Sequence, residues 1–205
     1  MSAGDKTDRA TDESPAVCLK RIYVALCRHE PPSDADRAFL FALGKQSLPD
    51  NQTKLLLETF GVLGDPSAEP LVERFLRRTD APALVREALG ALWWMGLTGK
   101  YKPFILQAVD PGFAWDGEWP GVYVTALFAA GCYLRDHRDK DFATMIANLA
   151  ARGYHAADTE VEREKISSAQ FAAGLAMGAD PKALAYDDEL EEKSCARFLA
   201  ERKDG

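Results

Sequence analysis

Leu57 to Leu76 reads LETFGVLGDPSAEPLVERFL, and the turn at its centre decides the fold. Apolar residues recur at helical spacing on both sides of that turn. Gly64 can take the left-handed conformation that ends a helix. Asp65 can cap the next one, and Pro66 suits a first helical turn, where a missing N–H costs nothing. One stretch therefore predicts a helix, a tight polar turn and a second helix.

The same arrangement recurs along the chain in EALGALWWMGLTGKYKPFIL from Glu87, TALFAAGCYLRDHRDKDFATMIANL from Thr125 and SAQFAAGLAMGADPKALAYD from Ser168. Thr59, Ala88, Ala126 and Ala169 align at uneven intervals of 29, 38 and 43 residues, each near the size of one helical hairpin. Gly178-Ala179-Asp180-Pro181 repeats the chemistry of the first turn with one residue added. Small residues such as Ala88, Gly90, Ala91, Ala129, Ala130, Gly131, Ala172, Ala173 and Gly174 let neighbouring helices approach closely, while larger ones fill the layer between. The periodicity predicts helices over 17–29, 35–47, 51–63, 67–78, 82–96, 99–109, 118–134, 138–152, 159–178 and 182–201. Strand patterns are nearly absent, and the short connections favour antiparallel neighbours.

At this level the chain resembles the HEAT and HEAT-like repeat family. GDPSAEPLVERFL (Gly64–Leu76) is similar to the family's inter-repeat turn and first helix. DAPALVREALGAL (Asp80–Leu92) is similar to its turn and second helix, with Asp80, Val85, Arg86 and Ala88 in the characteristic places. The resemblance is good over 57–109 and weaker toward both ends. It implies an all-α fold, a right-handed α-solenoid of about five HEAT-like hairpins. The expected organisation is a disordered tail over 1–15 and a single domain over 16–205. An irregular helical bundle that happens to contain such turns is the alternative.

Composition narrows the function classes. The 25 basic against 32 acidic residues give a formal charge of -7, the wrong sign for a protein whose affinity comes from neutralising phosphates. No basic stripe is evident, so no nucleic-acid partner is expected, and the charge suits a basic protein instead. No apolar run has the length of a membrane span, and 1–15 lacks the apolar segment of a secretory signal. The four cysteines, Cys18, Cys27, Cys132 and Cys195, show no C-x-x-C spacing and fit a reducing, cytoplasmic setting. No nucleophile elbow, P-loop, dinucleotide glycine pattern or H-E-x-x-H motif is found. No catalytic residue, metal or cofactor is therefore expected. Asp136-His137-Arg138-Asp139-Lys140-Asp141 lacks calcium-loop spacing and reads as a capping turn, and His29 and His155 stand alone.

Two aromatic segments are the candidate sites. Asp110–Tyr123 (DPGFAWDGEWPGVY) interrupts the repeat and places Trp115, Trp119 and Tyr123 beside Asp116 and Glu118. No lysine or arginine occurs from Pro103 to Leu134, so a negative local potential is expected there. Aromatic anchors beside carboxylates suit a grip on a basic surface, unless the indoles fold back into the joint between repeats. Trp93 and Trp94 are adjacent on one helix and point about 100° apart, so one can line an exposed face with Glu87 unless the stack buries both. The acidic run Asp187–Glu192 fits the first turn of a last, capping helix. The expected partner-binding set is Trp93, Trp94, Trp115, Asp116, Glu118, Trp119 and Tyr123. Three roles follow: a protein-binding module, in its sharpest form an immunity-type inhibitor that covers a toxin's basic surface; a scaffold subunit; or an enzyme. The last rests on the family resemblance alone, since HEAT-like proteins include chromophore lyases and DNA glycosylases that set an aspartate in a tryptophan-lined groove, as Asp116 beside Trp115 and Trp119 would.

Overall fold

The computed structural model describes residues 13–78, 80–110, 120–153 and 157–203. The tail expected over 1–15 lies outside them as far as residue 12. Among the described residues the chain is all-helical and contains no strand. The helices are α1 (Pro15–Cys27), α2 (Asp34–Leu43), α3 (Asp50–Leu63), α4 (Glu69–Glu73), α5 (Pro82–Trp94) and α6 (Lys102–Val109). They continue as α7 (Pro120–Asp136), α8 (Lys140–Ala150), α9 (Glu160–Ala176), α10 (Pro181–Leu184) and α11 (Asp188–Lys203).

Local chemistry sets most of the boundaries. Ser33 and Asp36 form a reciprocal capping box at the start of α2. Gly64, with φ of 64°, closes α3, and the Asp65 side chain then accepts the Ser67 amide at 3.0 Å. Gly178, with φ of 80°, follows α9, and Asp180 accepts the amides of Lys182 and Ala183. Two expected helices differ. The one over 67–78 shrinks to α4, flanked by 3-10 turns at Pro66–Ala68 and Arg74–Arg77. Pro70 has no N–H for the carbonyl of Pro66, so a continuous α ladder cannot form across that pair. The one over 182–201 divides into α10 and α11, because Asp187 accepts the Leu190 amide at 3.0 Å and starts a fresh helix.

The odd-numbered helices pack in succession, α1 on α3, α3 on α5, α5 on α7, α7 on α9 and α9 on α11. Helices α2, α4, α6, α8 and α10 pack beside them, and α8 also touches α6 and α11. One apolar core runs through the packed helices, from Leu19 and Ile22 through Phe60, Leu89, Leu127 and Phe142 to Phe198. Each of these side chains contributes roughly 1.5–3 kcal/mol by leaving water. Two glycines set the closest approaches: a Cβ on Gly61 would lie 3.1 Å from the Cα of Ala91, and one on Gly131 only 2.5 Å from the carbonyl oxygen of Ala172.

Capping aspartates also tie helices of different segments together. Asp65 gives one carboxylate oxygen to its own turn and the other to Arg37 of α2, at 2.8 Å. Asp139 does the same at the start of α8, accepting the amides of Asp141 and Phe142 with one oxygen and Lys102 with the other, also at 2.8 Å. Hydrogen bonds from the Ser67 side chain and amide, with Arg37 adding, hold the Asp65 carboxyl below the usual carboxylate range. At Asp139 burial opposes ionisation, but Lys102 and the two amides outweigh it. Glu69 joins the same framework through Tyr101 and Lys100, each at 2.6 Å.

Candidate functional site

Helix α5 ends on the two adjacent indoles, and their angular separation divides them between core and surface. Trp93 packs partly against the core, whereas Trp94 is 68% exposed, with ring centroids 5.8 Å apart. Burying an indole is strongly favourable, so one left this open next to its partly buried neighbour marks the surface around it.

That surface is a cleft of about 240 Å³ on the face of α1, α3 and α5. Tyr23 comes from α1, Glu58 and Val62 from α3, and Glu87, Gly90 and Trp94 from α5, over a floor where Gly61 meets Ala91. Val62 is 42% exposed, and a Cβ added to Gly90 would meet nothing within 4 Å, so the cleft is open above α5. Lys54 lies 3.8 Å from Glu58 and 3.6 Å from Glu87, close enough for Coulomb attraction but beyond hydrogen-bonding distance. Arg86 does bond Glu87, through a single oxygen, at 2.5 and 3.1 Å. Burial, reinforced by the neighbouring Glu87, pushes the Glu58 carboxyl above the usual glutamate range. Contact with the Cys27 side chain, then burial and the field of both glutamates, push up the Tyr23 phenol. Two partly dehydrated carboxylates beside an open indole and a phenol form an acceptor for a cationic group.

Tyr123 sits elsewhere. It is buried, because α7 lies between α5 and α9, and its hydroxyl donates to Glu164 of α9 at 2.5 Å. Burial and this bond push the phenol up, and the Lys165 ammonium stands 5.1 Å from the ring centroid. The expectation that Tyr123 contributes to an exposed face is corrected on that ground: it joins α7 to α9 inside the stack. Trp115, Asp116, Glu118 and Trp119 lie outside the described residues. The cation-free stretch from Pro103 to Leu134 receives positive charge from its neighbours. Lys165 reaches the Val109 carbonyl at 3.5 Å, and the Arg86 side chain lies against Gly121.

The remaining candidates have structural roles. In the 136–141 turn, Arg135 holds Asp136, Asp139 caps α8, and Lys102 bridges Asp139 and Asp141. His137 stacks on Tyr133 at 4.1 Å. In the acidic run, Asp187 caps α11 and Glu189 pairs with Lys193. Among the described residues no three His, Cys, Asp or Glu side chains converge as a metal site would need, and no helix is long and apolar enough to cross a membrane.

Sequence reading missed two assemblies. Tyr23, Glu58 and Val62 reach the Trp94 cleft from three different segments, so no local pattern announces them. Likewise, Lys45, Arg74 and Arg78 meet around a groove of about 380 Å³ between the α2–α3 connection and the turn at Arg74–Arg77. Asp50 shares that groove, Arg78 is clamped by Asp80 at 2.8 and 2.9 Å, and Arg74 is anchored to the Gly44 carbonyl at 2.6 Å. Interleaved carboxylates thus weaken a field that the cations alone would make strongly positive. Comparison of the chain with protein-family models, characterised proteins and solved structures returns no match.

Proposed function

We propose that this chain is a non-enzymatic protein-binding module, a right-handed α-solenoid of HEAT-like hairpins whose odd-numbered helices present the docking face to a partner with a basic surface. Succession of the odd-numbered helices with the others beside them is the packing such an array requires, and the chain's net charge of -7 suits such a partner. The observation that carries the reading is Trp94, 68% exposed beside two partly buried glutamates. Exposed tryptophan in a cleft is the residue type most enriched among side chains that dominate binding energy. Within this class, the sharpest form is a cytoplasmic immunity-type inhibitor that covers the basic active surface of a toxin.

Capture from native cells with tagged wild-type protein, followed by affinity measurement on the recovered partner, tests the reading. Trp94→Ala should cost about 2 kcal/mol, a weakening of roughly thirtyfold, and affinity should fall with added salt. Unchanged affinity in that variant would remove the proposed face. Retention on duplex DNA at physiological salt, lost on substituting Lys45 and Arg74, would instead favour a nucleic-acid role for the second groove.

A further inference from the structure

We infer that the cleft between α1, α3 and α5 receives a single arginine side chain from the partner, an assignment that rests on the protein-binding reading above. Three observations converge on a guanidinium. The first is size. About 240 Å³ admits one long side chain, whereas a docked helix would need a groove running along several turns. Its floor is fixed where α3 meets α5, since a Cβ on Gly61 would lie only 3.1 Å from the Cα of Ala91.

The second is acceptor capacity that no described protein group uses. Glu58 has an ion pair to Lys54 at 3.8 Å and no hydrogen bond among the described residues. Glu87 gives one oxygen to Arg86, leaving its other oxygen available. A planar guanidinium, with five N–H donors in a fixed fork, can bond both carboxylates at once. An ammonium would only repeat what Lys54 already supplies, and an apolar side chain would dehydrate the carboxylates without replacing their lost bonds.

The third is the aromatic wall. Trp94 and Tyr23 flank the same opening, and a delocalised, weakly hydrated guanidinium stacks on such faces better than a compact ammonium does. Aromatic faces and carboxylates together select a cation that is both flat and multiply hydrogen-bonding. That choice is narrower than attraction to a basic surface in general.

Gly90 provides the test. Its Cβ position is open and its φ is ordinary for a helix, so Gly90→Leu fills the cleft without touching the core, and Gly90→Ala controls for the fold. The probe is N-acetyl-arginine amide, followed through the Trp94 indole N–H by NMR, with the norleucine and lysine analogues as comparisons. Saturable shifts with a Kd on the order of 1–10 mM are expected for the arginine probe, at least fivefold weaker for the lysine analogue. Glu58→Gln should weaken the probe roughly tenfold, and Gly90→Leu should abolish both probe binding and partner capture while melting no lower than the wild type. Absence of saturation, or equal shifts in Gly90→Leu, would overturn the cleft assignment even if capture still depends on Trp94. Probe binding that Gly90→Leu removes, with partner capture intact, would also overturn it. Specific probe binding without any captured partner would instead keep a guanidinium site and remove the protein-binding reading on which its occupant depends.

Discussion

His29 shows how one residue carries strain that the turn around it requires. It follows α1 with φ of 62°, a conformation that side chains other than glycine rarely adopt. The backbone explains why it is held there. The His29 amide donates to Leu26 and the Glu30 amide to Ala25, the paired bonds that close a helix through a left-handed residue. Gly96 and Gly178 fill the same place after α5 and α9 with the same bonding pattern. His29→Gly should therefore stabilise the protein by about 0.5–1 kcal/mol, read as a higher melting temperature in circular dichroism. No gain would mean that the imidazole contributes a contact of its own. The sequence shows a helix ending near residue 29 but gives no cue that histidine occupies the glycine position, because nothing local in C-R-H-E-P-P demands it.

At the scale of elements, two glycines of similar appearance have opposite roles. A Cβ on Gly131 would press into the Ala172 carbonyl at 2.5 Å, where α7 crosses α9, whereas Gly90 faces open space on α5. Gly131→Ala should force those helices apart and cost about 1–3 kcal/mol. Gly90→Ala should add up to about 1 kcal/mol by restoring helix propensity alone. Thermal melts of the two variants separate a packing glycine from a surface one, and equal shifts would contradict the α7–α9 contact. Sequence reading placed both among the small residues that let helices approach, and composition could not distinguish them. What it could read was chemistry confined to a few neighbours: Gly64-Asp65-Pro66 folds as its side chains require. It failed where a partner from another segment decides, as with the burial of Tyr123 under Glu164, and where one acid of several acts as a cap, as at Asp187.

Across the molecule, the paired aspartates and Glu69 contribute to the response to acid, as Asp36, Asp80, Asp136 and Glu162 also do. Asp65, Glu69 and Asp139 all have folded-state pKa values below their ordinary 3.8, 4.5 and 3.8. For a depressed carboxyl the stabilisation is complete above the unfolded value and is lost as pH falls through the folded one. Stability should thus decline below about pH 4, and Asp139→Asn, which keeps a capping oxygen but loses the charge that pairs with Lys102, should flatten part of that decline while lowering stability at neutral pH by about 1 kcal/mol. Melting curves across this range check both statements, and an unchanged slope in Asp139→Asn would show that the folded state does not depress the Asp139 carboxyl. Because Asp65 and Asp139 each answer both to their own helix and to a cation on an earlier one, α2 or α6, the order of the helices has a grammar of succession. A duplicated or transplanted hairpin that brings the acid without its upstream Arg37 or Lys102 counterpart leaves one oxygen with no reply. On the proposed solenoid reading, lengthening this protein by design therefore means copying across the boundary between hairpins, from the cation of one to the cap of the next.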